Sequence, residues 1–240
     1  MIKDIHTFAI PEEAVVKHLD LDITVDFTTK TISGKAGYEI ENKAGNRIIL
    51  DTKGLKITKT TTGKDEKETQ FSLGEEKKHM GKPLEIKLKP QDKYITIYYS
   101  SDSSAEALQW LNPQQTAGKK SPFLFTQSQA ILARTWIPIQ DSPGIRFTYN
   151  AKVKVPKEMI ALMSAENPTK KNATCEYEFK MEQPIPAYLM ALAVGDIGFK
   201  NIGSRTGVYA EPVTLEKAAY EFAEMEQMLE AAEKLYGKYA

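Results

Sequence analysis

Two glutamines, Gln127 and Gln129, are separated by a single residue in the polar segment 125–130. On a β-strand, side chains at this spacing point to the same face of the sheet. A glutamine carboxamide offers hydrogen-bond donors and an acceptor, which suits it to hold the backbone or the amino terminus of a peptide. It carries no charge and therefore cannot act as a general acid or base. From the residues alone the pair is a weak signal, because paired glutamines on an exposed strand are usually just solvated.

Few other residues have the types and spacing that metal or nucleophilic chemistry needs. A hydrolytic zinc site needs three protein ligands and an open position, but His6, His18 and His79 have no neighbours at metal-ligand spacing. We interpret them as surface histidines without a function. The single cysteine, Cys175, lies in a strand pattern and is interpreted as a packing residue. A nucleophile-elbow sequence and a phosphate-binding glycine loop are both absent.

The composition is typical of an ordinary globular protein. The chain has 240 residues, 41% of them hydrophobic and 27% charged, which is enough to bury a core. Lys and Arg number 32, as do Asp and Glu, so the balanced charge gives no attraction to nucleic acid or to an anionic membrane. One cysteine and no apolar leader in residues 1–10 predict the cytoplasm, or the periplasm or exterior if a signal peptide was removed.

Alternation of apolar and polar residues predicts a mainly β fold. Residues 17–27 alternate strictly and pair with residues 32–40 as a hairpin. Five more short strands in the first hundred residues have the spacing of a β-sandwich; they are 47–50, 55–60, 69–73, 84–88 and 94–99. Later strands are predicted at 123–129, 145–155, 175–181 and 188–194, with a helical turn at 105–111 and a loop at 114–121. Trp110 and Trp136 are interpreted as core anchors.

The character of the sequence changes after about Ile202. From residue 214 to 236, apolar residues recur at helical spacing and glutamates cover the other face. Thr214 is the expected N-cap of this single helix, and Gly237 is the expected C-cap. The pattern predicts a β domain over 1–203, followed at 204–240 by a linker strand and the first helix of a second, helical domain.

Three blocks around the glutamine pair resemble the zinc aminopeptidases of the aminopeptidase N and leukotriene-A(4) hydrolase family. They are ALQWLNP at 107–113, PFLFTQSQA at 122–130 and PIQDSP at 138–143. Further similar blocks follow the same order along the chain, at 18–27, 155–165, 184–189, 202–211 and 219–222. The resemblance therefore covers nearly the whole chain.

The resemblance implies a saddle-like antiparallel β-sandwich that packs over a thermolysin-like catalytic domain. In this family the zinc ligands and the general base lie in the catalytic domain, in an H-E-x-x-H motif preceded by a G-x-M-E-N motif. Neither motif occurs in residues 1–240. We therefore expect a chain truncated after the first catalytic-domain helix, which binds no zinc and is inactive alone. The complete enzyme would use zinc to hydrolyse peptides from the amino terminus.

The resemblance also implies that this domain contributes one active-site loop, residues 126–130. Gln129 would bind the amino terminus or the P1 backbone of the peptide, Gln127 would support it, and Ser128 and Ala130 would line the wall. General aminopeptidases often carry glutamate at the position of Gln129. A neutral amide there is expected to weaken amine binding by about 1 kcal/mol or more.

Two alternatives stay open at this stage. The chain could be a self-standing, non-catalytic β-sandwich binding module, which a stop codon soon after Ala240 would favour. It could also be a hydrolase with a serine or cysteine site, which inactivation by a serine- or thiol-directed reagent would support. The apolar face of the helix at 214–236 further predicts self-association, because exposed apolar patches tend to find partners. No nucleic-acid or membrane partner is expected.

Overall fold

A computed structural model describes residues 4–43 and 45–239 of the chain. The first eight strands are β1 (Ala14–Asp26), β2 (Thr31–Asn42), β3 (Arg47–Thr52), β4 (Lys56–Thr62), β5 (Lys67–Glu68), β6 (Phe71–Leu73), β7 (Lys82–Lys87) and β8 (Tyr94–Ser100). The next eight are β9 (Leu108–Leu111), β10 (Phe123–Thr126), β11 (Arg146–Lys154), β12 (Ile160–Met163), β13 (Glu176–Pro186), β14 (Leu192–Gly195), β15 (Gly198–Asn201) and β16 (Gly207–Ala210). Helices α1 (Leu215–Glu221) and α2 (Met225–Tyr236) follow. The predicted mainly β fold with a helical carboxyl end is confirmed.

The large sheet has seven strands in the order β13-β11-β1-β2-β8-β4-β5. Strand β1 pairs antiparallel with β2, as the predicted hairpin requires, but it pairs parallel with β11 on its other side. The alternating residues of β1 behave as predicted, since Leu19, Leu21 and Ile23 are buried while the residues between them reach the surface. The sheet thus has a polar outer face and an apolar inner face.

A smaller sheet positions the segment that carries the glutamines. Its four antiparallel strands have the order β12-β14-β10-β9, so β10 lies inside the sheet between two neighbours. Leu124 of β10 and Val194 of β14 are paired and fully buried, and they join the core shared with the large sheet. The three-stranded sheet β3-β7-β6 closes the same core, and β15 and β16 form a separate hairpin.

Several predicted elements have different limits in the structure. Residues 105–111 do not form a helical turn, because Leu108–Leu111 pair with β10 and sheet pairing outweighs the local pattern. The strand predicted at 188–194 is a 3-10 helix at Ala187–Leu189 followed by β14, and the first two residues of the loop predicted at 114–121 belong to a 3-10 helix at Pro113–Gln115. Cys175 is not inside a strand, since it has a φ of +58° at the turn before β13 and is half-buried.

The predicted single helix is interrupted at residues 222–224, which separate α1 from α2. Thr214 precedes α1, but its hydroxyl donates to the carbonyl of Glu211 (3.0 Å) and caps no helix N–H group. Gly237 is the C-cap of α2, as predicted, and has a φ of +96°. Within residues 4–43 and 45–239, no helix combines the length and the apolar character needed to cross a membrane.

Candidate functional site

The segment 126–130, called the glutamine loop from here on, begins at the last residue of β10. The backbone N–H of Gln127 still donates to the carbonyl of Ala107 (2.9 Å), in register with β9, but the N–H of Ala107 donates to the hydroxyl of Thr135 (3.1 Å) and the sheet pairing ends there. Two residues past the loop, the N–H of Leu132 donates back to the carbonyl of Ser128 (2.9 Å). The loop is therefore a tight turn that leads from the small sheet into the 3-10 helix Ala133–Thr135.

This turn brings Gln127 and Gln129 together, and they do not lie on one face of a strand as predicted. The prediction of an extended segment up to residue 129 is wrong, because β10 ends at Thr126. Gln127 and Gln129 are nevertheless both exposed, and the Gln127 Oε1 atom accepts a hydrogen bond from the backbone N–H of Gln129 (3.2 Å). The peptide bond between Gln129 and Ala130 is cis, and Ala130 is exposed beside the pair.

Ser128, between the two glutamines, points the opposite way and is 2% exposed. Its hydroxyl donates to the carbonyl of Met190 (2.7 Å) and accepts from Trp136 Nε1 (3.1 Å). Trp136 is fully buried, so its interpretation as a core anchor is confirmed. Trp110 is half-buried, and its ring packs edge-on against Phe27, with 5.2 Å between the ring centroids.

The glutamine loop lies against the segment that follows the 3-10 helix Ala187–Leu189. Besides the Ser128 bond to Met190, the hydroxyl of Thr126 accepts from the N–H of Leu192 (2.9 Å). The fold thus joins the block 122–130 to the residues that directly follow the block 184–189, although they are far apart in the sequence. Phe125 and Leu189 are exposed next to this junction, at 40% and 47%.

A buried ionic network behind the loop was not predicted from the sequence. Arg134, Asp51 and Asp141 are each at most 1% exposed. The Arg134 Nε atom lies 3.1 Å from Asp141 Oδ2, and one of its terminal nitrogens lies 3.6 Å from Asp51 Oδ1. The signal that points to such a network is the single charged residue, Arg134, in the mainly apolar run 131–139, since a buried guanidinium requires carboxylate or carbonyl partners.

The same network ties the amino-terminal segment to the core. Asp51 accepts from the N–H of Asp141 (2.8 Å) and the N–H of Phe8 (2.7 Å), and Arg134 donates to the carbonyl of His6 (2.8 Å). Two carboxylates share one guanidinium in a space closed to water. Burial raises the pKa of Asp141 to about 6, although Arg134 acts to lower it.

In the part of the chain that the structure describes, the histidine, aspartate and glutamate side chains do not form a recognisable metal site. No group of three or more His, Cys, Asp or Glu side chains there has a geometry that could hold a metal ion. His18 is held on the polar face of β1, with Nδ1 2.6 Å from Thr148 Oγ1 and Nε2 3.3 Å from Asp20 Oδ1.

A separate groove of about 770 Å³ crosses the outer face of the seven-stranded sheet. Tyr94 lies across it and donates to Asp20 (3.1 Å), in the space left by the missing side chain of Gly37. Asn150 also donates to Asp20 (3.2 Å). None of residues 126–130 lines this groove, so it is distinct from the glutamine loop.

Comparison with known proteins supplies the family. Residues 15–189 match the model of the Peptidase M1 N-terminal domain. The leukotriene A-4 hydrolase of Xenopus laevis is 41% identical over 249 residues, covering 98% of this chain and 40% of that protein. Leucine aminopeptidase 2 of Kluyveromyces lactis is 40% identical over 229 residues, covering 93% of this chain and 34% of that protein.

The native yeast LTA4 hydrolase structure superposes with a TM-score of 0.91 at 30% identity, over 99% of this chain and 38% of that chain. This chain thus spans 34% to 40% of the length of the curated relatives it matches. The resemblance seen in the sequence blocks is confirmed. Since the family model matches most of its length, the chain belongs to the peptidase M1 N-terminal domain family.

Proposed function

We propose that this chain is the amino-terminal, substrate-side domain of a zinc-dependent aminopeptidase, which removes amino-terminal residues from peptides. The observation that carries the proposal is the pair of exposed glutamines held together at the end of β10 in a domain of the M1 peptidase family. The names of the relatives, which include a leucine aminopeptidase, support the same reaction class. Peptide is accordingly the proposed substrate.

The hydrogen-bonding capacity of the two carboxamides suits the end of a peptide. An ammonium group has three donors and no acceptor, so it requires an oxygen such as Gln129 Oε1. Within the described residues the Gln129 side chain forms no hydrogen bond, which leaves this oxygen free. Gln127 already uses its oxygen to accept from Gln129, so its NH₂ group remains to donate to a peptide carbonyl. Ala130 lines the wall beside them, and Ser128 is buried behind them.

Zinc and the general base are proposed to belong to a catalytic domain against which this domain packs. No group of three or more possible ligands occurs among the described residues, in keeping with this division. The proposed contribution of this chain is to bind and orient the peptide. The proposed division of the chain at 203/204 falls in the turn between β15 and β16. The proposed compartment is the cytoplasm, in agreement with a single cysteine that has no partner for an internal disulfide.

The proposal is tested by expressing the complete reading frame that contains this domain. The product is expected to bind zinc and to release free amino acids from peptides with a free amino terminus, but not from the same peptides after N-acetylation. The 240-residue chain alone, as the control, is expected to bind no stoichiometric zinc and to release nothing. A reading frame that closes at once after codon 240, with no hydrolysis, would replace this proposal by the binding-module alternative.

Self-association through the carboxyl-terminal helices is part of the same proposal. Within the described range, no residue of α1 or α2 is buried, and Tyr220, Phe222 and Leu235 are among the exposed large apolar side chains. Sedimentation velocity of the 240-residue chain is expected to show association that weakens in a Leu235→Glu variant. A strictly monomeric chain at high concentration would contradict this part of the proposal.

A further inference from the structure

We propose that Ser128 and Trp136 are positioning residues, which fix the directions of Gln127 and Gln129 without touching the peptide themselves. The inference rests on the proposed function, since it assigns the device that orients the amine-binding loop. Its basis is the hydroxyl of Ser128, which links three separate segments of the chain inside the protein: the glutamine loop, the residue after the 3-10 helix Ala133–Thr135, and Met190.

The geometry uses the serine hydroxyl as both a donor and an acceptor. A hydroxyl has one O–H to donate, and Ser128 donates it to the Met190 carbonyl over 2.7 Å. One of its lone pairs accepts the indole N–H of Trp136 over 3.1 Å. Ser128, Met190 and Trp136 are at most 2% exposed, so water cannot substitute for any of the three groups.

The direction of the Ser128 side chain affects the two glutamines because the three residues are consecutive. Ser128 is flanked by Gln127 and Gln129, so anchoring its side chain inward directs the two neighbouring side chains outward. The backbone on either side is also held, by the bond from Gln127 N–H to Ala107 and by the bond from Leu132 N–H to Ser128. Of the Ser128 side chain and these two backbone hydrogen bonds, the Ser128 side chain is the anchor that lies between the two glutamines.

Loss of the hydroxyl would leave two buried polar groups without a partner. An indole N–H and a carbonyl in an apolar interior are costly when they are not hydrogen bonded. The loop then gains by moving until water reaches these groups, which displaces the flanking carboxamides. Threonine keeps the hydroxyl, whereas alanine removes it, and phenylalanine at 136 removes the indole donor together with part of the ring volume.

The test uses four variants: Ser128→Ala, Ser128→Thr, Trp136→Phe and the control Ser101→Ala. Ser101 is a suitable control because it is also buried, at 5% exposure, and its hydroxyl accepts from the N–H of Ile32 (2.9 Å), between β2 and the end of β8. The first measurement is made on the 240-residue chain. It records the carboxamide resonances of Gln127 and Gln129 and the exchange rate of the Trp136 indole proton by NMR.

We expect Ser128→Ala to shift both carboxamide signals and to raise the indole exchange rate about tenfold or more, as loss of one hydrogen bond implies. Ser128→Thr, which keeps the hydroxyl, should show the wild-type carboxamide signals and the wild-type indole exchange rate. Trp136→Phe should shift the carboxamide signals as Ser128→Ala does. Ser101→Ala should lower the midpoint of thermal unfolding but leave these signals in place. Carboxamide signals that are the same in wild type and Ser128→Ala would overturn the proposal.

The second measurement is kinetic and uses the complete protein. Ser128→Ala should raise KM for an aminoacyl anilide about tenfold with little change in kcat, because the loop binds the peptide and takes no part in bond cleavage. A loss of kcat alone, or an equal KM change in Ser101→Ala, would overturn the positioning role. If the complete protein hydrolyses nothing, the proposed function fails, while the NMR measurement still decides whether Ser128 and Trp136 orient the glutamines.

Discussion

The indole nitrogen of Trp136 donates to the hydroxyl oxygen of Ser128 over 3.1 Å, and neither side chain is more than 2% exposed. This contact joins the core of the domain to the middle of the glutamine loop. The glutamines on either side of Ser128 are exposed, so the domain presents two carboxamides beside a side chain that is anchored in the core.

A charged side chain at position 129 is expected to strengthen amine binding. Gln129→Glu in the complete protein would replace a neutral acceptor by a carboxylate, and a charge-assisted hydrogen bond is about twice as strong as a neutral one. KM for substrates with a free amino terminus should fall by up to about tenfold near neutral pH. Steady-state kinetics with Gln91→Glu as the control measures this, and a raised KM in Gln129→Glu would contradict it.

Asp141 should make stability depend on pH. Burial raises its pKa to about 6 in the folded protein, against an ordinary value of about 3.9 when unfolded. Between these values the folded state holds a proton that the unfolded state has released. The stabilisation from this group is therefore fully present below about pH 4 and lost as the pH rises through about 6.

The variant Asp141→Asn cannot ionise and should not show this loss. The difference of about two pKa values corresponds to about 3 kcal/mol. From pH 4 to pH 7, the unfolding free energy of the variant should therefore improve relative to wild type by up to about 3 kcal/mol. Urea denaturation across this range measures it, and a difference that is constant with pH would show that burial does not raise the pKa of Asp141.

Gly34 on β2 is expected to tolerate no side chain. A Cβ atom there would lie 2.0 Å from the carbonyl oxygen of Asp22 and 2.9 Å from the Cα of Ile23, both in the backbone of β1. Because backbone must shift to make room, Gly34→Ala should lower the unfolding free energy by about 3 kcal/mol. Gly144→Ala is the matched control, since its Cβ would meet only Ser142 Oγ, at 4.0 Å. Equal stabilities of the two variants would contradict the prediction.

Arg205 is expected to hold α2 in place. It forms ion pairs with Glu226 at 3.2 Å and Glu233 at 2.9 Å, at the two ends of that helix. Arg205→Ala should speed hydrogen exchange in α2 and leave the β-sheets unchanged, with a small effect on global stability because the pairs are exposed. Lys234→Ala, which removes a charge of α2 that forms no ion pair in the described residues, is the control. The same exchange rates in both variants would contradict the prediction.

The sequence was sufficient to predict strand β1 of the large sheet, but it was not sufficient to predict the conformation of the glutamine loop. Alternation located β1 because one face of that strand is buried along its whole length. It did not locate the end of β10, because Gln127 continues the strand pattern and the pairing ends only where the N–H of Ala107 donates to Thr135, a residue far along the chain. The inward direction of the Ser128 side chain could not be predicted either, since it depends on contacts with Met190 and Trp136. The ion pair of Arg134 and Asp51 could not be predicted because the two residues are far apart in the sequence.

The most direct test of the account is the effect of Gln129→Ala on KM in the complete protein, with Gln91→Ala as the control on another exposed glutamine. If the glutamine loop binds the peptide amine, KM for a substrate with a free amino terminus should rise about tenfold, as one lost hydrogen bond implies. The kcat and the kinetics of the control should stay close to wild type. A Gln129→Ala variant with unchanged KM would contradict the assignment of this loop to the amino terminus of the peptide.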